Sequence, residues 1–152
     1  MTFVVKFVTH FQIMSTALNL NAPLGSDDKD ILRLIDTVKQ GIRYSVFAAL
    51  VSKSPFNLSE WSSFLHLSER TMQRYKKEKK TFDPLHAEKI LEITLLYKLG
   101  VRAFGDKAKF HTWLESESVA LGGVKPKTLL DTTFGINMLR DALERIEHGV
   151  LA

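Results

Sequence analysis

Residues 57–80, "NLSEWSSFLHLSERTMQRYKKEKK", contain the pattern that is most informative about the fold of this chain. Six of the thirteen residues from Ser68 to Lys80 are Lys or Arg, yet Met72 and Tyr75 stand among them three positions apart. On a helical wheel these two apolar side chains fall on the side opposite most of the basic ones. The pattern therefore predicts a helix with one side in a protein core and a cationic side facing outward.

A second short helix is predicted directly before it. Asn57 and Glu60 have the spacing of a capping box, which marks a helix start. Only two or three residues are expected between the helices, and His66 stands where such turns usually have a glycine with positive φ. Two helices joined by a tight turn are typical of a helix-turn-helix, with residues 68–78 as the recognition helix.

The residue types on the predicted outer face suit DNA. Arginine can read guanine with two hydrogen bonds, and glutamine can read adenine. Serine, threonine and lysine can hold phosphates, which fix the register of the protein on the duplex. The alternative is a solvated face with no partner. The side chains predicted to bind DNA are Ser68, Arg70, Thr71, Gln73, Arg74, Lys76 and Lys77.

Composition and charge narrow the possible functions. The chain has 152 residues, 45% of them hydrophobic and 25% charged, which is typical of a globular protein. From Glu60 to Lys80 there are six basic and three acidic side chains, so this segment carries three of the four net positive charges. Such a local patch indicates an anionic partner. No apolar run approaches the roughly 20 residues of a membrane-spanning helix, so we expect a cytoplasmic protein without a membrane partner.

The rest of the chain predicts an all-α fold. Asp83 followed by Pro84 is a strong helix start, and the long helix it opens should end near Gly105. The last helix is predicted from Thr133 to His148. A first helix should begin near Asp27 and end at Gly41. Its apolar residues, which recur at steps of three and four, are Ile31, Leu34, Ile35 and Val38.

Residues 1–26 have a different composition. The stretch "FVVKFV" is typical of a strand, and "NLNAPLGSDD" is typical of a linker. The segment could be a short strand, an arm that pairs with another subunit, or a partly disordered leader. We expect no strand elsewhere in the chain.

Enzymatic function is not indicated. The chain has no cysteine, which excludes disulfides, thiolate metal sites and cysteine nucleophiles. The stretch "GGVKPKT" lacks the spacing of a phosphate-binding loop, and the five histidines have no metal-ligand spacing. We therefore predict no catalytic residue, metal or cofactor.

Several motifs in order resemble one known family. They are "LHLSERTMQRYKKEKKTFDP", "AEKILEITLLYKLGVRAFGDKAKFHTWL" and "ALGGVKPKTLLDTTFGINMLRDALERIEHGV". From about Leu58 to Gly149 the chain resembles the Xre/MbcA/ParS-type antitoxins of bacterial type II toxin–antitoxin systems. Within that family it is most similar to the Xre antitoxins that are paired with RES-domain toxins.

The resemblance implies two functions in two parts of the chain. After the arm at 1–26, residues 27–82 would form a helix-turn-helix region that dimerises and binds the operator DNA of its own operon. Residues 83–152 would form a small helical domain that binds and neutralises a RES-domain toxin. Such toxins are implied to act on NAD, an activity that belongs to the partner.

The toxin-binding residues are expected in the loop and last helix of the C-terminal part. Residues such as Leu121 and Phe134, around the Gly-Gly loop, are more often core than interface. The stretch from Arg140 to Ala152 is predicted to lie against the toxin's active site, so truncation after Arg145 should abolish neutralisation. The predicted toxin-binding residues are Trp113, Leu121, Lys125, Asn137, Arg140, Glu144, His148, Val150 and Leu151.

Two other functions are compatible with the same sequence. One is a helix-turn-helix regulator without a toxin, whose C-terminal helices dimerise or sense a ligand. The other is a protein-interaction module whose basic helix is solvated and does not bind DNA. The adjacent gene and the salt dependence of promoter binding would discriminate among the three.

Overall fold

The computed structural model of the chain describes residues 28–149. The predicted arm or leader at 1–26 lies outside the described residues, as do Val150 and Leu151. The elements are α1 (Asp28–Gln40), β1 (Ile42–Arg43), α2 (Tyr44–Lys53), α3 (Leu58–Phe64), α4 (Glu69–Glu78), β2 (Thr81–Phe82), α5 (Pro84–Phe104), α6 (Lys107–Glu115), 3₁₀ turns at Val119–Leu121 and Pro126–Leu129, and α7 (Thr133–Glu147). The predicted all-α class is confirmed.

The helix starts read from the sequence are confirmed by their hydrogen bonds. The Asn57 side chain accepts from the backbone N–H of Glu60 at 2.8 Å, and the Glu60 carboxylate accepts from the N–H of Asn57 at 3.0 Å. The Asp83 side chain accepts from the N–H of His86 at 3.0 Å, directly before Pro84. These caps satisfy N–H groups that the helices themselves cannot.

Our expectation that no strand lies outside the N-terminal segment was wrong. β1 and β2 form an antiparallel ladder in which Ile42 pairs with Phe82 and Arg43 with Thr81. The two strands stand on either side of the helix-turn-helix in the sequence. Because the pairing joins distant residues and each strand has only two residues, no local periodicity encodes it.

An aromatic cluster holds the N-terminal helices together. The ring centroid of Phe47 on α2 lies 5.4 Å from that of Trp61 on α3 and 4.9 Å from that of Phe82 on β2. Tyr75 on α4 lies 5.0 Å from Phe82. Phe47, Trp61 and Phe82 are buried, and each such side chain contributes roughly 1.5–3 kcal/mol to folding. The cluster fixes α4 on the body of the protein.

The long helix α5 is the centre of the fold. Helix α7 packs along α5 and runs in the same direction. Two contacts show this direction: Lys89 donates to Thr133 near the start of both helices, and Arg102 pairs with Glu147 near their ends. Helix α6 packs on α5 at Gly100, where a Cβ would overlap the ring of Phe110. No helix among residues 28–149 is long and apolar enough to cross a bilayer.

Candidate functional sites

Helices α3 and α4 form the predicted helix-turn-helix. The residues between them, 65–68, make a turn of four residues instead of the two or three expected. His66 has φ +54°, the conformation for which such turns usually use glycine. The N–H of Leu67 donates to the carbonyl of Ser62 at 3.0 Å, which closes the end of α3. The sequence therefore predicted the unusual backbone position correctly.

The inner side of α4 is apolar and anchored. Met72 is fully buried, and Tyr75 is half-buried against the aromatic cluster. Ser68 is the N-cap of α4: its Oγ accepts from the N–H of Thr71 at 3.0 Å and lies 2.9 Å from the Thr71 hydroxyl. Both residues thus have a structural role at the start of α4, where a phosphate could also approach.

The outer side of α4 carries cations that are not paired within residues 28–149. Arg70, Gln73, Arg74, Lys76 and Lys77 are all exposed, and none of their side chains has a hydrogen bond or ion pair to a described residue. We call this set the cationic face. The predicted orientation of the helix, with the basic side chains facing outward and Met72 facing inward, is confirmed. Arg70, Arg74 and Lys77 share one face of α4 and Lys76 flanks it, and exposed cations so placed can neutralise several phosphates of a duplex.

The charged side chains next to the cationic face include some that have partners within the chain. Glu69 accepts from the hydroxyl of Ser59 on α3, which turns the acidic side chain toward that helix. Lys80 pairs with Glu78 at 3.1 Å and lies 5.7 Å from the centroid of the Tyr75 ring. Lys79 ends α4 with φ +51°. The cationic face is therefore the part of the segment best placed for a polyanion.

The predicted toxin-binding residues differ in how much surface they offer. Those that are exposed are Lys125, Asn137, Glu144 and His148, while Trp113 and Arg140 are partly buried. Trp113 lies 5.6 Å from Phe104 and 6.0 Å from Phe110 between ring centroids, so its ring mainly packs α6 onto α5.

Leu121 is in the core, with 5% of its side chain exposed. The reason is the 3₁₀ turn at Val119–Leu121, which ends at Gly122 with φ +81° and directs Leu121 inward. The same turn leaves Val119 94% exposed. Val119 is therefore the most exposed apolar residue of this loop, whereas Leu121 belongs to the core.

Sequence reasoning missed the largest exposed apolar side chain of the C-terminal part. Phe134 is 90% exposed near the start of α7, and Met138, one turn later, is also exposed. The signal was present: both lie opposite the buried stripe that begins at Ile136 and Leu139. Apolar residues at a spacing of four, outside the core stripe, often belong to a binding surface.

These residues continue into a shallow polar groove on the same face of α7. The groove has a volume of about 390 Å³ and is lined by Asp141, Glu144, Arg145 and His148. We define the outer face of α7 as this groove together with Phe134, Asn137 and Met138. It combines an exposed aromatic ring with charges of both signs, which is the composition of many protein–protein interfaces.

Two family models match the chain. Residues 33–94 match the model described as "Antitoxin Xre-like helix-turn-helix domain", and residues 99–149 match "Antitoxin Xre/MbcA/ParS C-terminal toxin-binding domain". The chain belongs to the Xre-type antitoxins. A curated protein, Antitoxin Xre from Yersinia enterocolitica serotype O:8 / biotype 1B (strain NCTC 13174 / 8081), is 28% identical over 120 residues, which are 78% of this chain and 81% of that protein.

Family membership makes the chain a non-enzymatic regulator of a toxin–antitoxin system, with a helix-turn-helix domain and a toxin-binding domain. The cationic face lies in the first match and the outer face of α7 in the second. The predicted division into residues 27–82 and 83–152 stays a prediction, because α5 begins within the first match and ends within the second.

Polar contacts join the two matched regions of the antitoxin. Lys127 donates to Glu60 on α3 at 2.8 Å and also to Glu115 on α6. The hydrogen bonds to Glu115 and Glu60 raise the pKa of Lys127. Burial alone would raise the pKa of Glu60, but hydrogen bonds from Lys127 and Asn57 bring it below its ordinary value. His66 donates from Nε2 to the carbonyl of Asp131 at 2.7 Å.

One buried carboxylate oxygen has no hydrogen-bond partner among the described residues. It is Oε2 of Glu92, on α5. Burial raises the pKa of Glu92, and the opposing charges of Lys89 and Arg140 compensate only in part. An isolated buried charge is unfavourable, so this residue costs stability when it is ionised.

We expect Glu92→Gln to stabilise the antitoxin at pH 7, by about 1 kcal/mol. The folded pKa of Glu92 lies above the unfolded value of about 4.3, so the penalty is complete above the folded pKa. It disappears as the pH falls through the unfolded value. Thermal unfolding at pH 7 and pH 4 tests this, with Glu117→Gln, at an exposed glutamate far along the chain from Glu92, as the control. A lower melting temperature for Glu92→Gln at pH 7 would contradict it.

Proposed function

We propose that this antitoxin neutralises a RES-domain toxin that consumes NAD, and represses its own operon by binding operator DNA as a homodimer in the cytoplasm. The observation that carries the DNA-binding part is the cationic face of α4, whose side chains are exposed and unpaired within residues 28–149 while Met72 anchors the opposite side. The support for a RES-domain partner is the resemblance of the chain, from about Leu58 to Gly149, to the Xre antitoxins that are paired with such toxins.

In this proposal α4 lies in the major groove. Arg70, Gln73 and Arg74 contact base edges, and Lys76 and Lys77 contact phosphates together with the start of α4 at Ser68 and Thr71. The toxin is bound by the outer face of α7, together with Lys125 of the preceding loop and the accessible part of Trp113. The residues from Arg140 to Ala152 cover the active site of the toxin and exclude its substrate.

The two activities are tested separately. Co-expression with the protein of the adjacent gene should give a complex in a pull-down and restore growth that the partner alone arrests. The arrest should coincide with a fall in cellular NAD; growth arrest with constant NAD would exclude a RES-type partner. Binding of the promoter fragment should weaken steeply and linearly on a logarithmic salt scale. Promoter binding that is insensitive to salt would contradict the role of the cationic face.

Phe134→Asp is expected to weaken toxin binding by about 2 kcal/mol, roughly 30-fold, because an exposed aromatic anchor becomes a charge. The antitoxin itself should keep its stability, since Phe134 packs against little of its own chain. Titration calorimetry of the purified pair measures the effect.

The matched control is Leu85→Asp, the same change at an exposed apolar residue outside α7 and outside the loop that carries Lys125. Equal effects of the two substitutions would show that Phe134 is not a specific anchor. Loss of promoter binding in either variant would point to a general defect.

A further inference from the structure

The first helix exposes apolar side chains that the rest of the described chain does not cover. On α1, Leu34 and Val38 pack on the core, whereas Ile31, Leu32 and Ile35 are 51%, 60% and 42% exposed. The apolar surface of α1 is therefore wider than the part that packs against the rest of the described chain. Three large aliphatic residues within one and a half turns form a patch that is unfavourable in water and suited to a protein partner.

Charges at the two ends of this patch have opposite sign. Asp28 and Lys39 lie on the same face of α1 as Ile31, Leu32 and Ile35, within an arc of roughly 100°. Both charged residues are exposed, and neither is paired with another described residue. We call these five residues the α1 face. Along this face an acidic residue comes first, the aliphatic residues lie in the centre, and a basic residue comes last. If a second copy of the helix packs antiparallel to the first, the acidic end of each copy meets the basic end of the other.

We propose that the α1 face is the homodimer contact of this antitoxin, formed by two antiparallel copies of α1 about a two-fold axis. With the axis midway between residues 33 and 34, Asp28 faces Lys39 of the second copy and Leu32 faces Ile35. Every contact then occurs twice, as a two-fold interface requires. The inference rests on the proposed homodimer and names its surface.

A two-fold dimer suits the proposed DNA-binding function. Helix-turn-helix proteins commonly bind two half-sites with two recognition helices related by symmetry. Helix α1 packs on α5, and the α1 face contains no residue of the cationic face of α4, so the two surfaces can be used together. One three-turn helix face is smaller than the about 800 Å² per partner of a standard interface, so we expect a reversible dimer with a micromolar dissociation constant.

Charge reversal in the full chain tests the proposal. Asp28→Lys and Lys39→Glu should each weaken dimerisation about tenfold, because each puts like charges opposite one another at two places in the dimer. The double reversal should restore dimerisation to near the original strength. Sedimentation equilibrium over about 1–100 µM covers the expected range.

The double variant separates the proposal from effects on helix stability. Acid near the start and base near the end of α1 favour the helix, so the double reversal removes both favourable interactions. If the single variants acted by unfolding α1, the double variant would be worst. Recovery of the dimer therefore indicates a direct contact between Asp28 and Lys39 of two copies.

Ile35→Asp should abolish the dimer, while Val119→Asp, at an exposed apolar residue elsewhere, should leave it intact. A dimer that tolerates Ile35→Asp, or a double reversal weaker than the single ones, overturns the proposal; the N-terminal segment or the toxin would then be the occupant of the α1 face. In that case the chain would still form the proposed homodimer, but through another surface. A wild-type chain that stays monomeric at the highest concentration overturns both.

Discussion

An antitoxin truncated after Arg145 will no longer protect cells from its toxin, although it will still bind its operator. The truncation removes His148 from the groove on the outer face of α7, together with the residues beyond it. Central contacts of protein–protein interfaces cost about 2–4 kcal/mol each when removed, so an affinity loss of roughly 30- to 1,000-fold is expected. Operator binding should survive because α4 is held by the aromatic cluster of the N-terminal part.

The truncation also removes contacts that stabilise α7, and a full-length variant can control for their loss. The truncation also removes Ile146, which packs on the core, and Glu147, which pairs with Arg102. The hydrogen bond from Arg102 lowers the pKa of Glu147, so the pair is intact at neutral pH. A full-length Ile146→Ala/Glu147→Gln variant loses the same packing and ion pair but keeps the C-terminal residues.

The outcomes are distinguished by growth after co-expression with the toxin. We expect the full-length control to protect cells and the truncated chain to fail. Protection by the truncated chain would exclude the segment beyond Arg145 from toxin inhibition. Failure of both variants would assign the effect to the fold of α7.

Replacing both Arg70 and Arg74 with alanine will remove specific operator binding. Each arginine is exposed and unpaired within the described chain, and each is expected to contribute about 1–3 kcal/mol if it reads a base. The melting temperature should change little, because neither side chain contacts the core. Fluorescence anisotropy with operator and unrelated DNA measures the loss of affinity and of discrimination.

The matched control removes the same charge elsewhere. Lys107 and Lys109 on α6 are exposed and, within residues 28–149, unpaired, so Lys107→Ala/Lys109→Ala changes the net charge equally. If binding depended on net charge alone, the two double variants would weaken it equally. Equal weakening on operator and unrelated DNA by the arginine variant would indicate phosphate contacts and contradict base reading.

The helices and the orientation of α4 could be predicted from the amino-acid sequence alone. The capping box at Asn57 and Glu60, the start at Asp83 and the positive φ of His66 all depend on neighbours within a few residues. The Met72 side of α4 was predicted by helical periodicity alone. Such features are local, so a short stretch of chain contains all the information needed to predict them.

Which apolar residues are buried could not be predicted in the same way, because it depends on tertiary packing. Leu121 and Val119 stand two residues apart, yet one is core and the other is solvent-exposed, because a 3₁₀ turn and Gly122 orient the loop. The ladder between Ile42 and Phe82, the exposure of Phe134 and the split stripe of α1 have the same origin. Burial depends on which distant element packs against a residue, and amino-acid type and spacing do not specify that element.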